Sequence, residues 1–166
     1  CKVINVGRGF MVKRRYWLFK SEPSDYSFND LMGEDNQTAE WDGVRNYTAR
    51  NHLRDDVQVG DGVLFYHSNI QPPAIVGTAV VVRDSYPDCT AWDVNSAHPD
   101  PKSTPDNPRW FMVDIRAEAS LLNDVTLAQI KATSGLENMS LVKRARLSIH
   151  PVTLEEWEII MELATG

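Results

Sequence analysis

The chain reads as a single α+β domain on a curved, mixed or mainly antiparallel sheet that closes toward a small barrel. Three observations predict this. Five or six runs rich in β-branched and aromatic residues recur along it. The helical stretches between them are short, and the two do not alternate in the βαβ rhythm of a doubly wound sheet. There is no internal repeat and no sign of a second domain. At 166 residues, 42% hydrophobic and 24% charged, the chain can bury a core without disulfides or a structural metal.

Residues 1–10 show no strong pattern, and Met11-Val12-Lys13 reads as a natural start. The first ten are therefore expected to be an extension outside the fold, and 11–166 the domain. Tyr16-Trp17-Leu18-Phe19 predicts a buried first strand ending at Lys20, and Pro23 prevents the ladder from continuing. Ser27 caps a short helix through Leu31 and Met32, which Gly33 ends. Arg45 to Leu53 predicts a second helix. Gly60-Asp61 turns into the strand Gly62 to His67.

Pro72-Pro73 precedes a β-branched run from Ala74 to Arg83. Residues 84–108 hold five prolines, which predicts an ordered or semi-ordered loop of a length that often marks function. Arg109 to Leu122 predicts a long strand, and Leu147-Ser148-Ile149 a short one ended by Pro151. Thr126 with Gln129, and Thr153 with Glu156, fit capping boxes. The last helix aligns Leu154, Trp157, Ile160, Met161 and Ala164 on one face, which makes Trp157 a core residue.

Composition narrows the function. Two cysteines, Cys1 and Cys89, fit a reduced intracellular protein. No apolar run is long enough to span a membrane, and no secretory signal pattern is present, so a soluble protein with no membrane partner is expected. Its expected place is the cytoplasm of a bacterium, or the nucleus of a eukaryote. The net charge of −6 argues against a charge-driven DNA coat. The charges are segregated, however. Residues 41–54 carry Arg45, Arg50 and Arg54 against Asp42 alone, Lys13, Arg14 and Arg15 precede the first strand, and Lys143, Arg144 and Arg146 form a third cluster.

Catalytic and metal motifs are weak. No Gly-x-Ser-x-Gly elbow occurs, and neighbours Lys20 and Ser21 on a strand point to opposite faces, which places them poorly for sharing a proton. His52, His67, His98 and His150 are scattered, and no dinucleotide fingerprint is complete, so no metal and no cofactor is expected. Flat-ligand recognition is better supported. Trp41, Tyr47, Tyr66, Tyr86 and Trp110 lie near strand ends and loops, where an aromatic face can stack on a nucleobase. Lys20, Ser21, Asn46 and Asn69 are suitable donors and acceptors for a base edge, and Arg45, Arg50 and Arg54 can reach phosphates.

Five collinear blocks carry a family resemblance. They are Tyr16 to Pro23, Trp41-Asp42-Gly43-Val44-Arg45-Asn46-Tyr47 with Ala49-Arg50-Asn51, Gly60 to Asn69, Asn107-Pro108-Arg109-Trp110 and Leu147 to Trp157. Together they resemble the EVE domain. The resemblance implies a PUA-like fold, a curved mixed β-barrel with short peripheral helices, and kinship with YTH domains. It also implies a non-catalytic reader of modified bases, with modified cytosines such as 5-methylcytosine in DNA favoured over RNA. By that resemblance Lys20, Ser21 and Glu22 edge the pocket and Trp41 is its aromatic wall. Val44, Arg45 and Asn46 supply floor and polar contacts, His67, Ser68 and Asn69 complete it, and Trp110 is a second wall. Arg50 and Arg54 would meet the nucleic-acid backbone. Two alternatives stay open: an RNA-binding PUA-type module, and an ASCH-like amidohydrolase acting on acylated nucleosides through Lys20 and Glu22.

Overall fold

The computed structural model describes residues 14–166; the expectations for residues 1–10 and for a start at Met11 lie outside them. In chain order the elements are β1 (Tyr16–Ser21), α1 (Phe28–Met32), β2 (Thr38–Glu40), α2 (Tyr47–Asn51) and β3 (Gly62–His67). There follow β4 (Ala74–Pro87), β5 (Phe111–Thr126), α3 (Leu127–Ala132), α4 (Ser140–Lys143), β6 (Ile149–Val152) and α5 (Leu154–Thr165). The six strands form one mixed sheet in the order β2-β5-β4-β3-β1-β6. β1 runs parallel to β3, and the other pairings are antiparallel.

Contiguous apolar runs in β1 and β3 follow from burial on both faces of the sheet. Trp17, Phe19, Val63 and Phe65 face one core, shared with α1, α2 and Trp41. Leu18, Leu64 and Tyr66 face another, covered by α3, α4 and α5. Four irregularities in the β4–β5 register bend this long pair and curl the sheet. The curl is deep enough that Trp41, just after edge strand β2, lies 5.4 Å ring to ring from Phe19 on β1. β2 and β6 do not pair with each other, so the expected barrel stays open as a curled sheet.

Local chemistry accounts for the departures from expectation. The helix expected from Arg45 begins only at Tyr47, because Asn46 is extended and its side chain accepts a hydrogen bond from the Ala49 amide. The chain then continues through a π-helical turn, His52–Asp56. Strand β4 runs on to Pro87, and β5 spans Phe111–Thr126 rather than residues 109–122. Pro151 lies inside β6, opposite Trp17; it is tolerated because β6 is an edge strand. In α5, Glu156, Ile160 and Ala164 are buried, Trp157 is half-buried and Leu154 is exposed. The two capping boxes form as expected.

Candidate functional site

The gap left by the open barrel holds a cleft of about 1060 Å³. The end of β1 supplies Lys20 and Ser21, and Glu22 and Tyr26 follow from the next turn. Strand β2 gives Thr38–Glu40, the segment after it Trp41–Arg45, and Ser148 stands just before β6. Ala97 and His98 close one side from the loop between β4 and β5.

The turn after β1 is drawn back on the strand. The amides of Asp25 and Tyr26 both donate to the Glu22 carbonyl at 2.9 Å, and Ser21 Oγ donates to the Tyr26 carbonyl at 2.6 Å. This sets the Tyr26 ring nearly perpendicular to Trp41, with centroids 6.4 Å apart at 81°. Trp41 is itself only 8% exposed, wedged against Phe19 and Phe65. The pair forms an aromatic corner. The Tyr26 hydroxyl donates to Glu34 at 3.0 Å, and burial together with that bond pushes its acidity far below that of an ordinary phenol.

Carboxylates line much of the rest: Glu22, Asp25, Glu34, Glu40 and Asp42, against Lys20, Arg45 and His98. Burial raises the pKa of Asp42 despite the opposing pull of His98, whose Nε2 lies 3.7 Å from its carboxylate. Burial lowers the pKa of Lys20, whose Nζ donates to the Ala145 carbonyl at 2.7 Å. With Lys20 directed at Ala145 and Ser21 at Tyr26, the two do not form a proton relay.

Arg45 is held from behind by a fully buried carboxylate, Asp88. That group accepts from Arg45 Nη1 and the Gly43 amide, each at 2.9 Å, and from the amide and hydroxyl of Thr90. Burial alone would raise the Asp88 pKa; the bonds from Thr90, Arg45 and Gly43 outweigh it and hold the carboxyl below its usual range. Arg45 Nη2 also donates to the His98 carbonyl at 2.8 Å. Gly43 has φ +77°, and a Cβ there would fall 2.9 Å from the His98 ring. The proline-rich loop is thereby clamped onto the Trp41–Arg45 segment as a wall.

Of the residues expected in the pocket, Lys20, Ser21, Glu22, Trp41, Val44 and Arg45 meet at the cleft. Five do not. The Asn46 side chain is spent capping α2. His67 Nε2 accepts from the Phe28 amide at 3.1 Å, and burial lowers its pKa. Ser68 and Asn69 follow β3 beside the end of β1, where the Ser68 amide donates to the Ser21 carbonyl at 3.0 Å, but neither lines the cleft. Trp110 is buried, donates to Asp100 at 2.7 Å and stacks on Tyr47 at 4.9 Å. The proposed backbone contacts are also engaged: Arg50 donates to the Arg109 carbonyl at 2.8 Å, and Arg54 forks Asp55. Conversely Tyr26, Asp42, Glu34 and His98 line the cleft, although none of them is among the expected pocket residues. Only Asp42 carries a local signal, as the neighbour of Trp41.

Among the described residues no group of three or more His, Cys, Asp or Glu side chains is placed to hold a metal ion, and no helix is long and apolar enough to cross a membrane.

A family model of the EVE domain matches residues 15–163. The chain belongs to the EVE domain family. Human thymocyte nuclear protein 1 is 42% identical over 165 residues, covering 89% of this chain and 73% of that protein. An uncharacterized protein of Schizosaccharomyces pombe is likewise 42% identical, over 92% of this chain and 69% of its own. Among solved structures, a hypothetical protein from Leishmania major superposes with TM-score 0.87 at 43% identity, over 92% of this chain and 95% of that one. The human protein, crystallised with 5-methylcytosine-containing DNA, superposes with TM-score 0.86 at 41% identity, over 92% of this EVE domain and 98% of that chain. The curled six-stranded sheet with its few short helices is thus the PUA-like fold of this family.

Proposed function

We propose that the protein is a non-catalytic reader of modified bases in DNA, holding a flipped modified cytosine in the cleft. The carrying observation is the Trp41–Tyr26 corner at the floor of a polar opening. Two rings near a right angle offer one face for stacking and one edge for contact, and stacking is worth roughly 1–3 kcal/mol per base. The acid-rich lining complements the exocyclic amine of cytosine, a hydrogen-bond donor. That a relative 41% identical was crystallised with 5-methylcytosine-containing DNA supports the polymer and the base class. Extruding a base costs a few kcal/mol, which interactions outside the cleft must offset.

The test is direct titration of matched duplexes carrying 5-methylcytosine or cytosine at one position. Tighter binding of the modified duplex is expected. Equal affinity, across a panel extended to other modified cytosines, would sink the reading. Stronger competition by structured RNA would turn it toward RNA.

A further inference from the structure

We propose that the exposed turn from Lys143, the last residue of α4, to Arg146, on the rim of the cleft, is the surface that grips the phosphate backbone of the bound nucleic acid. This rests on the base-reader function and adds to it the part that holds the strand.

Three observations carry it. First, the loop is fixed to the rim. Ala145, at its centre, accepts a hydrogen bond from the Lys20 amine at 2.7 Å, and Ser148, close beyond it, lines the cleft. Its backbone is tied by Arg144 N to Ser140 O at 2.8 Å and Leu147 N to Arg144 O at 3.1 Å. Second, its charge is unspent. Lys143, Arg144 and Arg146 are exposed, and among the described residues none of them forms an ion pair with a carboxylate. The arginines of the Arg45–Arg54 segment, by contrast, are tied to Asp88, the Arg109 carbonyl and Asp55. Third, the cleft repels phosphate, since Glu22, Asp25, Glu34, Glu40 and Asp42 line it. A strand that inserts a base must keep its phosphates outside, and the rim beside Lys20 offers a cluster of unpaired cations there.

Anisotropy titrations with plain and 5-methylcytosine duplexes, across roughly 50–200 mM salt, test this. Neutralising the loop (Lys143→Gln, Arg144→Gln, Arg146→Gln) should weaken both duplexes in parallel. It should flatten the log-affinity salt slope by about 2–3, close to one for each phosphate no longer neutralised, and leave the modified-to-plain ratio unchanged. The charge-keeping set Lys143→Arg, Arg144→Lys, Arg146→Lys should retain the slope, which separates charge from folding, and Lys131→Gln, on α3, serves as a control for loss of a single charge elsewhere. An unchanged slope in the neutralised loop would overturn the assignment, as would a slope lost instead with Arg50→Gln and Arg54→Gln. If the ratio is already one in the unaltered protein while the slope falls in the variant, the base-reading function fails and the grip stands.

Discussion

Trp41 belongs to two systems at once, the core and the cleft. Only 8% exposed and set against Phe19 and Phe65, it is a buried residue whose loss should cost about 3–5 kcal/mol. Trp41→Ala should therefore lower the melting temperature sharply, and lost binding in it would say little about recognition. Tyr26 is half-buried and the cleaner probe. Tyr26→Ala should reduce affinity for the modified duplex by roughly 5- to 150-fold, the equivalent of 1–3 kcal/mol of stacking, with the salt slope unchanged; equal affinity in variant and parent would remove Tyr26 from the pocket. His150 makes a third residue-scale prediction. It is fully buried, Ser140 Oγ lies 2.7 Å from its Nδ1, and burial foremost, with Lys20 nearby, lowers its pKa to about 4. The unfolded chain binds the proton more readily, so this contribution is complete above pH of about 6.5 and is lost as pH falls toward 4. Melting curves from neutral pH to about 4.5 should show a fall of a few kcal/mol that is reduced in His150→Gln. Trp41 is legible in the sequence because it stands in a motif at a strand end. Tyr26 is not, since nothing local tells that the turn after Pro23 folds back on Ser21. Trp110 shares the same aromatic-near-loop signature, but Asp100 and Tyr47 claim it through interactions that only the folded chain reveals.

At the scale of elements, the proline-rich segment between β4 and β5 is readable as a functional loop, but the mechanism of its attachment is not. Asp88 sits 43 and 45 residues from its partners Arg45 and Gly43, too far for any local pattern to show. Asp88→Ala would leave the Arg45 guanidinium, 21% exposed, without its carboxylate. A loss of about 3–5 kcal/mol is expected, together with faster proteolysis within residues 89–109. Cleavage no faster than in the parent would show that the clamp does not hold the wall. The strands are easier to read: contiguous apolar runs mark β1 and β3, and the capping boxes fix the starts of α3 and α5. Short β2 and the four-residue α4 escape notice, because three or four residues carry too little periodicity.

Over the whole molecule, the sign of the charge and its distribution carry different messages. A net charge of −6 keeps phosphates from settling broadly on the surface, while three exposed cations with no carboxylate partner among the described residues, Lys143, Arg144 and Arg146, stand together at one rim. The fold class can be inferred from strand count and the absence of βαβ rhythm. The failure of the barrel to close cannot, because it depends on two edge strands of three and four residues. Sheet order adds one more consequence. β1 is flanked by β3 and by β6, so the first strand made waits for the last of the six before its second ladder forms. The cleft repeats that arrangement, with Lys20 and Ser148 drawn from opposite ends of the described chain. The cleft is therefore finished late in synthesis: in a nascent or clipped polypeptide short of β6 the end of β1 has one ladder partner instead of two, and the base reading proposed for the cleft must wait for that strand.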